Sequence, residues 1–386
     1  MERVVIKGAK RLKQGHLWVF SNEVASPLKE YEPGSLVEVY EKGRHFLGIG
    51  YINPRSLISI RLLTRKRETI DAGFFARRMQ EAKEYRRRVL PGVSSLRVVY
   101  SEADVLPGLI VDRYNDCLSI EVLTLGMERL MEEILEAIER VFRPSSLVLR
   151  LDSSLRLLEG LPLRKEVIRG GSPKEVIEEG EMFFGVDPLN GQKTGFFLDQ
   201  RENRLAFRSY VDGGVGLDLF CYTGAFGLHL AKKGARVIGV EQSEWAIEVG
   251  KRNLQLNGLA DNYEFVKADV FDFLRQASGQ GRRFDFVIID PPSFTRSRRT
   301  VKDALRGYKE VNRLALSLLR RGGLLCTSSC SYHVDLALFL ETIRQALSDS
   351  NRQARVLEVR SQSKDHPVLI SVPETGYLKC IFMEVL

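Results

Sequence analysis

Residues 215–241 constrain the fold of this chain more than any other stretch. They read as strand, glycine turn, helix, strand and acid. Leu217 to Phe220 is a short apolar run, Gly224 and Gly227 bracket a tight turn, and Phe226 to Lys233 has helical apolar spacing. Gly234 ends the helix, and Arg236 to Val240 forms a second strand that closes on Glu241. An acid at the tip of the second strand of a βαβ unit is placed to hydrogen-bond ribose hydroxyls. A glycine turn lets backbone N–H groups approach a ligand. The GxGxxG pattern is not met, because Tyr222 stands where a first glycine would fall. A pyrophosphate needs closer backbone contact than that. The departure points away from nicotinamide and flavin dinucleotides and toward a cofactor without phosphate, such as S-adenosylmethionine.

A chain of 386 residues with 44% hydrophobic residues has room for two or three packed domains. No apolar run reaches membrane-spanning length, and no signal-peptide pattern opens the sequence. The five cysteines (117, 221, 326, 330, 380) show neither CxxC nor metal-ligand spacing. This suits a reducing cytoplasm, and no metal is expected. The net charge of +8 is localised: residues 1–90 hold 19 Lys and Arg against 10 Asp and Glu, and the remainder is close to neutral. A basic excess confined to one region points to a polyanion, most often nucleic acid; a solvated surface is the plainer alternative.

The spacing predicts three domains. Residues 1–72 read as a small β-rich module, with strands at 4–6, 36–40, 46–52 and 57–63 and turns at Pro33-Gly34 and Lys42-Gly43. Its basic stretch Lys7 to Lys13 runs into Trp18 and Phe20. Such a mixture suits phosphate contact and base stacking, and equally suits core positions in a small barrel. Residues 73–180 read as a linking helix (71–89) and a middle α+β domain whose strands lie at 97–100, 109–113, 117–123 and 147–151, followed by a loop-rich run at 160–180. Arg86-Arg-Arg88 reads as a phosphate contact or a solvated helix end. Asp104 and Asp112 read as solvated turn carboxylates, with a role in a site as the alternative. From residue 181 to 386, strands alternate with helices, which implies a doubly wound, mostly parallel α/β sheet. Its site belongs beyond the carboxyl ends of the strands.

Three of those strand ends carry chemistry. Asp269 follows the third strand, where it can accept from an adenine amino group. Asp290-Pro-Pro-Ser-Phe294 follows the fourth; two prolines remove backbone donors and stiffen the loop. Thr327-Ser-Ser-Cys-Ser331 follows the fifth and places Cys330 in a polar loop, whereas Cys326 lies inside the apolar run as a core thiol. Cytosine C5 is a poor nucleophile. A thiolate added to C6 makes C5 enamine-like, and an acid at N3 offsets the charge that develops in the ring. Cys330 fits the nucleophile and Asp290 the N3 partner.

With these motifs the C-terminal half resembles the class I S-adenosylmethionine-dependent RNA methyltransferases. The whole chain resembles the bacterial 23S rRNA cytosine-C5 methyltransferases that carry an N-terminal PUA domain. The resemblance rests on Asn190 to Arg201, Asp218 to Gly227, Asp290-Pro-Pro-Ser-Phe294, Gly307 to Asn312, Ser329-Cys-Ser331 and Asp365-His-Pro-Val368. It implies a PUA-like barrel, a middle domain, a Rossmann-like methyltransferase domain and a cytoplasmic homodimer acting on RNA. Cofactor contacts are expected at Gln200, Arg201, Asp218, Phe220, Tyr222, Thr223, Gly224, Glu241, Gln242, Asp269 and Asp290, and substrate contacts at Lys193, Phe197, Phe294 and Tyr308. Many RNA cytosine-C5 methyltransferases place a second cysteine where Ser293 stands here. The resemblance implies that the later cysteine suffices and leaves the base that takes the C5 proton open among water, Lys193 and another carboxylate. Two other readings stand beside this one: an RNA guanine N-methyltransferase, which needs no thiol, and a non-catalytic RNA-binding assembly factor.

Overall fold

The structure is a computed structural model that describes residues 1–386 apart from Gly43, Arg44, Ser172 and Arg296. The turn expected at Lys42-Gly43 therefore reaches outside the described residues. The chain divides into two compact units. The first comprises Met1–Ile177, Val186–Leu198 and Lys364–Thr375; the second comprises Glu178–Gly185, Asp199–Ser363 and Gly376–Leu386. The division differs from boundaries at 72 and 180 because two later segments return to the first unit, and residues 1–72 and 73–177 pack as one body.

In the first unit a five-stranded sheet runs in the order Glu2–Ile6, Leu36–Glu41, His45–Ile52, Ile60–Thr64, Trp18–Val19. Its period-two pattern is regular: Val4, Ile6, Val37, Val39, Ile60 and Leu62 are all buried in one core. The two-residue strand at Trp18 was hidden by its basic flank. Trp18 is half-buried and donates to Glu102 Oε1 at 2.8 Å, and the Arg11 guanidinium lies 4.7 Å from the Phe20 ring centroid. A second sheet runs Arg164–Arg169, Ser146–Leu151, Cys117–Val122, Leu109–Tyr114, Leu96–Tyr100. The helix Ala72–Val89 packs into its core through Phe74, Phe75 and Met79. That helix begins where the Asp71 carboxylate accepts from Phe74 N at 2.8 Å, a side-chain N-cap. The strand Arg164–Arg169 lies in the expected loop; it is a charged, exposed edge strand without the apolar alternation that marks a strand in sequence.

Four ionisable side chains of this unit turn out to have internal partners. Arg86 is buried and bidentate to Asp104 (2.5 and 2.7 Å), so it is not a phosphate contact, whereas Arg87 and Arg88 are exposed. Asp104 and Asp112 are not solvated turn carboxylates, since Asp112 is fully buried against Arg97 through two 2.8 Å bonds. His366 is buried, bonded through Nδ1 to Asp365 Oδ1 at 2.9 Å and packed on Tyr100.

The second unit is built on a seven-stranded sheet. In sheet order the strands are Tyr263–Lys267, Arg236–Glu241, Val215–Leu219, Phe284–Ile289, Leu319–Ser329, Lys379–Val385 and Ala354–Arg360. Numbered by sequence within this sheet, that is 3-2-1-4-5-7-6. The first five are parallel, and Lys379–Val385 is antiparallel to both of its neighbours. The doubly wound, mostly parallel α/β fold expected from the sequence is therefore present. Strands one, four and five read as near-continuous apolar runs because helices cover both faces. Leu217, Leu219, Val287, Ile289 and Leu325 share one core with Val311, Ala315 and Phe339 of the helices Val301–Leu318 and Leu336–Asp349. The order reverses at strand one, which opens a crevice between the tips of strands one and four.

A buried ionic cluster ties Glu179 to this unit. Arg204 donates to both Glu179 oxygens at 2.6 Å, and His229 Nε2 contacts Oε1 at 3.1 Å. Burial would raise the Glu179 carboxyl, but the Arg204 guanidinium and His229 outweigh it and hold it well below 4.5. Glu179→Gln leaves Arg204 buried without its anion and should cost about 3 kcal/mol of stability in urea unfolding near pH 7. A depressed folded pKa means that this stabilisation is complete above the ordinary glutamate value of 4.5 and is lost as the pH falls below it. The variant should lack that acid limb.

Candidate active site

The turn after strand one is conformationally committed. Phe220 and Tyr222, neither a glycine, take φ of +59° and +51°, and Gly224 follows at +81°. Left-handed backbone at non-glycine residues costs of order 1 kcal/mol or more each, and persists only where surroundings hold it. Several bonds do so here. Cys221 N donates to Val240 O at 3.2 Å, and Gly224 N to Cys221 O at 2.8 Å. Glu241 Oε2 accepts from Tyr222 N at 3.0 Å, while its Oε1 accepts from Gln242 N and Ser243 N at 2.8 Å. Glu241 remains half-exposed at the strand tip, where its remaining lone pairs suit ribose hydroxyls.

Asp218 is placed below the turn rather than in it. The residue is 1% exposed, and its Oδ2 accepts from Gly227 N at 2.8 Å and from the Tyr263 hydroxyl at 3.1 Å. Burial pushes its carboxyl up to about 7, against the lowering pull of those two donors. It orders the loop from beneath. Tyr263 is the residue that sequence missed. A Cβ on Gly227 would stand 2.4 Å from Tyr263 Cε2, and one on Gly239 would stand 2.1 Å from its hydroxyl. Those glycines serve ring packing more than cofactor approach.

The other expected cofactor residues gather at the same strand ends. Asp269 Oδ1 caps the next helix by accepting from Phe271 N and Asp272 N, and Oδ2 accepts from Gln242 Nε2 at 2.8 Å. Gln200 Nε2 donates to Asp290 Oδ1 at 2.8 Å and to Ser328 Oγ at 3.2 Å. Thr223 is buried, and its Oγ1 has no partner among the described residues. Arg201 is buried 3.7 Å from Glu179 and belongs to the ionic cluster above. A half-exposed acid, a capped acid and a stiff turn with an unsatisfied hydroxyl fit a nucleoside with a small polar tail.

Across the crevice, Phe294 is half-buried, edge-on to Phe220 (6.3 Å between ring centroids) and tilted on Tyr308 (4.6 Å). Tyr308, expected against the substrate, is fully buried and supports the loop from behind: its hydroxyl bonds Ser331 Oγ at 2.9 Å. Ser293 Oγ bonds the same Ser331 Oγ at 3.0 Å and donates to Thr295 O at 2.7 Å. Cys330 is half-buried, with Sγ 3.9 Å from Pro291 O; the other four cysteines are buried. Cys326 faces Cys380 at 3.7 Å inside the core, as an inert thiol should. Lys193 and Phe197 fall in the first unit, where Lys193 Nζ lies 4.4 Å from the Phe197 ring centroid.

Sheet order, the strand-two acid and the reversal at strand one define a class I S-adenosylmethionine-dependent methyltransferase. Residues 4–65 match a PUA-like domain model and residues 211–371 a methyltransferase domain model. Ribosomal RNA large subunit methyltransferase I of Aeromonas hydrophila is 40% identical over 384 residues, covering 97% of each chain, and that of Photobacterium profundum is 39% identical over 385 residues, also covering 97% of each. The chain belongs to the ribosomal RNA large subunit methyltransferase I family. A solved S-adenosylmethionine-dependent methyltransferase from Streptococcus mutans, described as putative, shares the fold over the full length of both chains, with a TM-score of 0.85 at 22% identity. Another methyltransferase described in the same way, solved in complex with SAH, superposes over both full lengths with a TM-score of 0.86 at 22% identity.

Glu241→Gln keeps the size of the side chain but removes the charge and turns one accepting oxygen into an NH2 donor. It should weaken S-adenosylmethionine binding about tenfold by calorimetry, the scale of a missing charge-assisted hydrogen bond. Unchanged affinity would move the ribose elsewhere.

Proposed function

We propose that this protein methylates C5 of a cytosine in 23S ribosomal RNA, with Cys330 as the nucleophile. The observation that carries the proposal is the placement of Cys330, half-buried where the other four cysteines are buried, at the tip of strand five beside the Asp290-Pro-Pro loop. The relatives' name, ribosomal RNA large subunit methyltransferase I, supports RNA as the substrate.

S-adenosylmethionine, when bound, supplies a methyl group on a positively charged sulfur. Glu241 would take the ribose and Asp269 the adenine amino group, with the backbone of residues 220–224 against the cofactor. The Cys330 thiolate adds to C6 of the cytosine, forming an S–C bond and moving the C5–C6 electron pair onto C5 and the ring. Asp290, one oxygen of which is steadied by Gln200, acts as the acid that offsets that charge by giving a proton to N3. Phe294 offers a face to the base, which must leave its stack to reach the thiol. C5 then takes the methyl group, whose bond to the donor sulfur breaks and leaves that sulfur a neutral thioether; water, Lys193 or another carboxylate takes the C5 proton, the double bond re-forms and Cys330 leaves as thiolate. A reducing cytoplasm suits a chain whose cysteines form no disulfide, and among the described residues no helix is long and apolar enough to cross a membrane. The resemblance implies a homodimer, which we include in the proposal.

Cys330→Ala should abolish methyl transfer to rRNA while leaving S-adenosylmethionine affinity within about twofold, read by labelled methyl incorporation and nucleoside mass spectrometry. Normal methylation by the variant, or a methylated guanine in wild-type product, would sink the reading. The exposed Lys7, Lys10 and Lys13 lie in the basic N-terminal stretch. Replacing all three by alanine should weaken RNA binding and flatten log K against log salt by roughly 0.7–0.9 for each phosphate the protein no longer neutralises. An unchanged slope would remove this face from the RNA interface.

A further inference from the structure

Lys379 opens the last strand, in an apolar run where a charge is out of place. In the antiparallel ladder it pairs with Ser329, one residue before Cys330. Its Nζ donates to Ser331 O at 2.7 Å and to Tyr377 O at 2.8 Å, so the ammonium clasps the peptide immediately after the thiol. Among the described residues no carboxylate lies within ion-pair distance of it. An ammonium held half-buried against two neutral carbonyls is under-compensated in charge. The charges that face it are Cys330, on the loop it clasps, and Asp335, which caps the helix Leu336–Asp349. The rest of the loop is fixed from the other side: Ser331 Oγ is held by Tyr308 and Ser293, and Ser331 N reaches Ser329 Oγ at 3.4 Å.

We propose that Lys379 is the positioning residue for Cys330: it fixes the loop that carries the sulfur and supplies the cation that favours its thiolate. The proposal rests on Cys330 being the nucleophile. With two of its N–H groups committed to carbonyls, the ammonium acts by charge and placement, not by taking the C5 proton. The thiol proton passes to solvent, and the sulfur keeps the electron pair that later forms and releases the bond to C6. Burial chiefly lowers the Lys379 ammonium, to about 8, and the charges of Cys330 and Asp335 raise it in opposition. The coupling between lysine and thiol is thus mutual. A charged neighbour of this kind shifts a thiol by about one pH unit or more.

The test is the pH dependence of Cys330 alkylation by iodoacetamide, followed by mass spectrometry of the Cys330 peptide. The full-length wild type, Lys379→Met and Lys379→Arg are compared. Lys379→Met should move the alkylation midpoint up by about one pH unit and cut kcat for rRNA methylation at least tenfold, with S-adenosylmethionine affinity unchanged. Lys379→Arg should keep the midpoint close to that of the wild type. A Lys379→Met profile that overlays the wild type overturns the proposal. A measurement that leaves residue 379 intact covers misfolding of that variant: the Lys379 titration, read by NMR on carbon-13-labelled lysine, should move down in Cys330→Ala, and an unmoved titration also overturns it. If Cys330→Ala still methylates, the nucleophile reading fails instead, whatever the alkylation profiles show.

Discussion

The cofactor end of the sheet depends on one buried carboxylate. Asp218 sits at the end of strand one, with two donors, Gly227 N–H and the Tyr263 hydroxyl, reaching its Oδ2. These bonds join the first helix and the third strand to the first strand beneath the turn. The turn above then holds two non-glycine residues in left-handed conformations. Glu241 completes the arrangement from the second strand and still faces the crevice. A stiff turn of this kind offers its groups with little reorganisation on binding, which is the physical content of preorganisation.

The reacting side of the crevice follows a similar logic with different materials. Strands four and five end in loops stiffened by Pro291 and Pro292 and by the hydroxyls of Ser293, Tyr308 and Ser331. Cys330 lies between two buried serines yet is itself accessible. Strand seven, inserted antiparallel next to strand five, brings Lys379 to the same loop. The topology thus places a thiol, a cation and an apolar ring at the ends of strands four, five and seven, while Glu241 and Asp269 stand at the ends of strands two and three.

Most of the second unit was legible in the sequence because its elements carry strong local signals. Glycine turns, capping acids and apolar runs place its strands within a few residues, and the acids Glu241 and Asp269 do stand at strand tips. What was not legible required partners distant in sequence. Tyr263 looks like an ordinary strand aromatic until Gly227 and Gly239 make room for its ring. Lys379 looks like a charge on an edge strand until the 5-7-6 order makes that strand internal. Asp112 and Arg86 look solvated until their partners Arg97 and Asp104 are seen. The edge strand Arg164–Arg169 lacks the alternation that would have declared it. Tyr308 was placed in the right neighbourhood and one layer too far forward.

The central claim is a covalent bond between Cys330 and C6 of a cytosine, and a substrate that cannot lose its C5 substituent tests it most directly. Large-subunit rRNA carrying 5-fluorocytidine, incubated with the protein and S-adenosylmethionine, should yield a protein–RNA adduct that survives denaturing electrophoresis and maps by mass spectrometry to Cys330. Absence of an adduct while unmodified rRNA is methylated normally, or an adduct on another residue, would contradict the account.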